Sequence, residues 1–439
     1  MPSIDGSMLT VSEIRISSSN PKKSLVASCE VFASVGKVFV VLEMELAMYK
    51  YVVRSFVIFL VSLVGFVPLS QAQDQTLKIG EVRSLTGPAN FYGIPQSRGM
   101  QLAISEINAA GGVKAGGKTY RLELVSQDDQ ASPTVGVAGL RKLMADDVRF
   151  VVGPVVSGVA AAIKPIIESS PNLTQLIDGA TVAGVTNGKN IFRHQADIFA
   201  FEAPMIALMK QRKYPTIALM TDRFHAGMMG TEQSFVDSLE KNGNKVVARE
   251  YHKINDTTFS AQLTKIISLA PAVLIMRGYA TETALMVRQS RQLGYTGIIA
   301  WEGVAPPSAV TKNIGAAEME GVFNSFPPTI QDHAQLGSEK AKRVAEGYRK
   351  MFNAEPGELT AISFDAVYIL KAAIEKAGSI ENAKVNEALA TLRVTDVREL
   401  ISNYDPREGG RFFDTAGQAA MRGGAHTWRG SGWTPIPGI

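Results

Sequence analysis

The residues able to do chemistry in this chain stand at the ends of its apolar runs, not inside a catalytic motif. RFVVGPV (149–155) is followed by Val156, Ser157 and Gly158, and LTQLID (173–178) by Gly179, Ala180 and Thr181. Further along, AVLIMRG (272–278) is followed by Tyr279, GIIAW (297–301) by Glu302 and Gly303, and TIALM (216–220) by Thr221 and Asp222. As a set these groups complement a zwitterion. Ser157 opens a helix, so it offers a hydroxyl beside backbone N–H groups that favour a carboxylate. Thr181 adds a second hydroxyl. Glu302 supplies an anion for an ammonium, with Tyr279 able to hydrogen-bond beside it. Each residue also has a plainer reading: Ser157 as a helix N-cap, Glu302 as a solvated loop acid, Tyr279 as core filling. What points to a site is their shared place outside the carboxyl ends of strands, where open α/β sheets bind ligands.

Other chemistries lack their residues. Gly112, Gly117, Lys118 and Thr119 spell a phosphate-binding loop. That loop works only when it leaves a strand and opens a helix, and here it leaves a helical segment and enters the run from Tyr120. It reads as a helix-to-strand loop. The histidines (His194, His225, His252, His333 and His426) have no metal-ligand spacing. No G-x-S-x-G elbow is present, and Ser157 has no histidine nearby in sequence. Asp128 and Asp129 resemble a metal pair by type, but one of them ordering the turn before Pro133 is the preferred reading. No cofactor is implied.

Stepping from these residues to the elements that must hold them, short runs rich in Val, Ile and Leu alternate with helical segments. The runs begin at Leu77, Tyr120, Arg149, Leu173, Thr216, Lys245, Ala272 and Gly297. Continuous apolar runs suit parallel strands buried on both faces. In SRGMQLAISEINAAGG, Met100, Ile104 and Ile107 fall on one helical face before Gly111. Strand and helix alternating this often imply right-handed βαβ units. The predicted fold is α/β, with two doubly wound parallel-sheet lobes joined by three hinge crossings. IFRHQADIF (191–199) and MEGVFNSFPPTI (319–330) are the candidates for the first two crossings. The expected division is 73–196 plus 325–405 for the N-terminal lobe and 197–324 plus 406–439 for the C-terminal lobe.

The 439 residues are 46% hydrophobic and 20% charged, the balance of a folded globular protein long enough for two cores. The net charge of +4 is dispersed, and the 8% aromatic residues are not interleaved with basic clusters, so no nucleic-acid partner is expected. From Met48, Lys50 and Arg54 precede the apolar stretch Ser55–Leu69, and Ser70-Gln71-Ala72 gives a small-x-small cleavage pattern. This is a secretory leader, 48–72, with an apolar run short for a membrane span. Residues 1–47 read as a spurious upstream extension. The single cysteine, Cys29, lies in that extension, so neither a disulfide nor a lipid anchor after the leader is expected.

The stretches LKIG…SLTGPANFYG, EINAAGGV, DDQASP, FVVGPVVSG, RGYATETALMVRQSRQLGY and WEGV together resemble the leucine/isoleucine/valine-type periplasmic binding proteins of ABC importers, with the type I periplasmic binding fold. The likeness runs from Leu77 to about Phe413. It implies that Ser157, Thr181 and the backbone at Gly179 hold a ligand's carboxylate. It further implies that Tyr279 and Glu302 hold the ammonium and that Tyr92 packs over the ligand. Where leucine binders have a tyrosine, this chain has Ala226, flanked by His225 and Gly227, which implies a reshaped side-chain pocket. Ala131 and Val156 stand where the family's first-lobe disulfide would be. The implied function is an extracytoplasmic binding protein, not an enzyme, that takes an amino acid or similar small carboxylate and meets a membrane permease complex. A periplasmic monomer is expected. The other readings left open are an aromatic carboxylate or an amide- or urea-type ligand, and a subunit that senses ligand for a signalling receptor.

Overall fold

Strand and helix succeed one another from residue 75 onward, and the Val-, Ile- and Leu-rich runs form the central strands of both sheets. The computed structural model describes residues 48–49, 75–302, 305, 307–312, 314–421, 423–430 and 432–436. The leader and the upstream extension fall almost wholly outside these residues. Residues 72–439 form one unit and 1–71 another.

The first half begins with β1 (Gln75–Arg83), α1 (Asn90–Ala109), β2 (Val113–Ala115) and β3 (Lys118–Asp128). There follow α2 (Pro133–Ala145), β4 (Phe150–Val152), α3 (Ser157–Glu168), β5 (Thr174–Ile177) and β6 (Ile191–Arg193). These strands make one six-stranded sheet in the order β2-β3-β1-β4-β5-β6. All its pairs are parallel except β2 with β3. That exception settles the phosphate-loop spelling. Ala115 pairs with Lys118 across a two-residue Gly116-Gly117 turn in which both φ angles are positive, the conformation a tight hairpin needs. The segment is a β-hairpin, not an anion cradle.

The second half contains α4 (Ile198–Arg212), β7 (Thr216–Asp222), α5 (Ala226–Lys241), β8 (Lys245–His252) and α6 (Ser260–Ser268). It continues through β9 (Val273–Arg277), α7 (Ala280–Gln292), β10 (Ile298–Glu302) and β11 (Phe323–Ser325). The chain then returns to the first lobe through α8 (Glu339–Phe352), α9 (Thr360–Ala377), α10 (Asn382–Ala390) and the small pair β12 (Tyr404–Asp405) and β13 (Ala420–Met421). Last come β14 (Ala425–Arg429) and β15 (Gly432–Pro435), which complete a seven-stranded sheet ordered β15-β14-β11-β10-β9-β7-β8. Among the described residues, no helix is long and apolar enough to cross a membrane.

The third crossing differs from expectation. Residues 406–421 are expected in the C-terminal lobe, but Phe412, Phe413, Ala419 and Met421 are buried in the core that contains β1, α1 and α9. Gln418 bridges to Arg193 beside β6, and β13 closes on β12. The chain therefore passes to the second lobe between Met421 and Ala425, not after residue 405. The Gly-rich composition of this stretch hides two aromatic anchors. The crossings lie close together, and Phe326 N–H donates to the Gly424 carbonyl at 2.9 Å.

Phe413 is fully buried, with ring centroids 5.2 Å from Phe192 and 4.9 Å from Phe412. Phe413→Ala is expected to lower unfolding free energy by about 3–5 kcal/mol, measured by urea denaturation. A loss under about 1 kcal/mol would place this segment outside the first lobe's core.

Candidate functional site

The carboxyl ends of the two sheets face one another across a cavity, and each lobe brings residues of different character to it. In the first lobe, Val156 is the N-cap of α3 with no side-chain bond of its own, and Ser157 is the first helical residue. Ser157 is buried, and its Oγ accepts the backbone N–H groups of Thr181 (3.3 Å) and Val182 (3.2 Å). It therefore fastens the loop after β5 to the start of α3, besides lining the cavity. Gly179 admits no side chain, since a Cβ there would lie 2.6 Å from Val155 Cα. Thr181 Oγ1 and the Tyr92 hydroxyl, both on lining residues, are buried without a hydrogen-bond partner. Unpaired buried hydroxyls of this kind are groups that a bound oxygen would satisfy.

In the second lobe, Tyr279 is the N-cap of α7 and His225 the N-cap of α5. Their rings lie 5.4 Å apart and both line the cavity. His225 Nδ1 accepts the Met228 backbone N–H at 3.1 Å, which leaves the ring proton of the neutral form on Nε2. Burial first, and the positive charge of Arg277 next, hold His225 down at about 4, so the ring is neutral at ordinary pH. Phe201 from the first turn of α4 and Phe326 from the second crossing meet edge to face at 5.9 Å and close the hinge side with Gln195. The lobes touch: a Cβ on Gly227 would sit 3.0 Å from Thr181 Oγ1. In this closed arrangement the cavity is small, about 20 Å³.

Of the seven residues singled out from sequence, Tyr92, Ser157, Gly179, Thr181 and Tyr279 come together around this cavity, and Ala226 and Glu302 do not. Ala226 is exposed at the first position of α5, and its neighbour His225 takes the place at the cavity wall. The wall keeps a ring there, as an imidazole. Glu302 is no solvated loop acid, for it is fully buried at the end of β10. Register explains why it turns from the cavity. Met276 pairs with Trp301, so Arg277 stands beside Glu302 on the neighbouring strand. Arg277 Nε donates to Glu302 Oε1 at 2.5 Å, and Nη2 donates to Glu202 Oε1 at 2.6 Å. Burial pushes the Glu302 carboxyl above its usual range against the pull of Arg277. Burial, then the charge of Glu302, push Glu202 up to about 8.

His225, Gln195, Phe201 and Phe326 were missed from sequence. Only His225 carried a local signal, a polar residue preceding a helical segment three positions beyond Asp222. Phe201 lies in α4 and Phe326 in the second crossing, where no strand-end rule applies. Among the described residues no group of three or more His, Cys, Asp or Glu side chains could hold a metal ion, and the Asp128–Asp129 pair serves the turn. Asp128 Oδ1 accepts the N–H of Leu85 and Gln130, and Asp129 Oδ1 accepts that of Ala131 and the Ser84 hydroxyl.

Comparison with known proteins agrees with this architecture. Residues 76–426 match the family model described as periplasmic binding protein. The Leu/Ile/Val-binding protein BraC3 of Rhizobium johnstonii is 32% identical, over 76% of this chain and 86% of its own length. The leucine-, isoleucine-, valine-, threonine- and alanine-binding protein of Pseudomonas aeruginosa is 29% identical, over 75% and 85%. Among solved structures, the branched-chain amino acid transporter substrate binding protein LivJ of Streptococcus pneumoniae, in complex with isoleucine, superposes with a TM-score of 0.68 at 24% identity, covering 82% of this chain and 99% of LivJ. Two doubly wound lobes, a cleft at their facing strand ends and a family match over most of the length lead to one assignment: the chain belongs to the periplasmic binding proteins of the Leu/Ile/Val-binding type.

Proposed function

We propose that this chain is the extracytoplasmic solute-binding component of an ABC importer and closes over a branched-chain amino acid or a related small carboxylate between its lobes. The observation that carries the reading is the single cavity onto which Ser157, Gly179 and Thr181 of one lobe and His225 and Tyr279 of the other converge. The relatives' printed ligands, leucine, isoleucine and valine, fit the same reading.

On this reading the carboxylate sits at the start of α3, where backbone N–H groups and the hydroxyls of Ser157 and Thr181 point at it. The ligand's apolar body lies among Phe201, Phe326, Leu359 and Val155, and Tyr92 covers it. Contacts to His225 and Tyr279 form only when the lobes shut, so they shift the hinge equilibrium toward the closed state. The leader at 48–72 would send the chain to the periplasm, and the lack of a cysteine after it fits a form without a lipid anchor. The closed form is the one a permease complex would receive.

Titration against a panel of branched-chain amino acids and related small carboxylates tests the function directly. Binding of at least one with a saturable rise in Tm supports it, and a flat response across the panel contradicts it. For the best ligand, Thr181→Ala is expected to weaken affinity roughly 10- to 100-fold, as loss of a hydrogen bond to a charged group does. Its Tm without ligand should stay close to wild type. Affinity within twofold of wild type would remove Thr181 from the site.

His225 adds a pH signature. The unfolded chain takes a proton near pH 6.5 that the folded site refuses until about 4. Stability from this group is therefore complete above pH 6.5 and is lost as pH falls toward 4, by up to about 1.4 kcal/mol per pH unit. His225→Asn keeps a cap acceptor and removes the titration, so its stability should fall less steeply than wild type over that window. Parallel curves would show that His225 is not held neutral.

A further inference from the structure

We infer that Arg277 is a specificity-determining residue: by holding Glu302 it withholds the second lobe's anion from the ligand, and the cleft selects a carboxylate without an ammonium, a 2-oxo acid or simple acid of branched-chain or aromatic size, over the amino acid of the same skeleton. The inference rests on the reading that the cleft takes a small carboxylate.

An ammonium taken out of water needs a paired anion. Among the described residues lining the cavity there is no Asp or Glu. Glu302, the residue expected to serve, has one oxygen on Arg277 at 2.5 Å, and both side chains are fully buried. Arg277 is held on two further sides, by Glu202 at 2.6 Å and by the Phe235 ring, whose centroid lies 4.5 Å from Cζ. Thr231 Oγ1 in turn donates to Glu202. Turning Glu302 toward a ligand would strip a buried guanidinium of the partner on its Nε.

Other acids come near the site without entering it. Asp222 and Glu282 lie close enough to act on Tyr279, and Glu358 on Tyr92, yet none of the three lines the cavity. Glu282 accepts the Asn255 N–H and Asp222 that of Phe224. His225 reports the local potential: burial and Arg277 disfavour a positive charge on its ring, and no carboxylate offsets them. An ammonium beside it would meet the same conditions. The polar residues that line the cavity, Tyr92, Ser157, Thr181, Gln195, His225 and Tyr279, are all uncharged. They suit a carboxylate and a neutral oxo or ring group.

Isothermal titration of the mature chain at pH 7 with two matched pairs decides the matter: 4-methyl-2-oxopentanoate against L-leucine, and phenylpyruvate against L-phenylalanine. In at least one pair the oxo acid should bind ten or more times tighter than its amino acid. Any smaller ratio in both pairs overturns the inference and leaves the proposed function standing, whereas no binding of all four acids counts against both. The double variant Glu202→Gln/Arg277→Met keeps Glu302 as the one carboxylate and frees it. It should lower the ratio at least tenfold, and an unchanged ratio would show that Arg277 does not set the preference. The wild-type comparison stands whether or not the variant folds.

Discussion

Each lobe is organised around a buried arginine at the carboxyl end of a central strand, clasped between two carboxylates. In the first lobe Arg83 ends β1, with Nε on Glu81 at 3.1 Å and both terminal nitrogens on Asp178 at 2.8 and 2.9 Å. In the second, Arg277 ends β9 between Glu202 and Glu302. Removing one partner from such a group leaves an uncompensated buried charge, at a cost of about 3–5 kcal/mol. The clasps therefore fix geometry where the chain leaves the sheet. Asp178 directly precedes Gly179, accepts Ser363 Oγ from α9, and offers its carbonyl to Gln96 of α1 at 2.9 Å. Glu81 accepts the hydroxyls of Ser97 and Ser126 as well. The loop that carries Gly179 and Thr181 is thus tied to β1, α1 and α9 before any ligand arrives.

The same device has opposite consequences for the cleft in the two lobes. In the first it holds in order a loop whose Thr181 hydroxyl is left unpaired at the cavity. In the second it keeps all the charge behind the wall, so that the cavity meets neutral His225 and Tyr279 in place of an acid. Ser157 and Thr181 thus stand across the cavity from the rings of His225 and Tyr279. The aromatic pair Phe201–Phe326 sits where two crossings meet, so hinge and pocket share side chains.

Much of this was legible in the sequence because burial on both faces of a parallel sheet leaves an unmistakable apolar run. All eight runs named from sequence are strands, and the strand-end rule reached Ser157, Gly179, Thr181 and Tyr279. Short elements escaped. β6 and β11 lie inside segments read as crossings, since three residues carry too little pattern to separate a strand end from a linker. The third crossing was misplaced because glycines around Phe412 and Phe413 masked their anchoring role. Glu302 shows the deeper limit. Its type and place were right for an ammonium, but a partner 25 residues away on the next strand becomes visible only with the register. Ala226 drew attention to the correct turn, while the ring at the cavity belongs to His225.

Small-angle X-ray scattering with and without saturating ligand measures directly whether the lobes shut over a small carboxylate. The lobes meet at Gly227 and Thr181 in the closed form, so ligand should reduce the radius of gyration in a saturable way, and Gly227→Val should abolish the reduction. Scattering that is unchanged at full occupancy would contradict a hinge driven by contacts across the cleft.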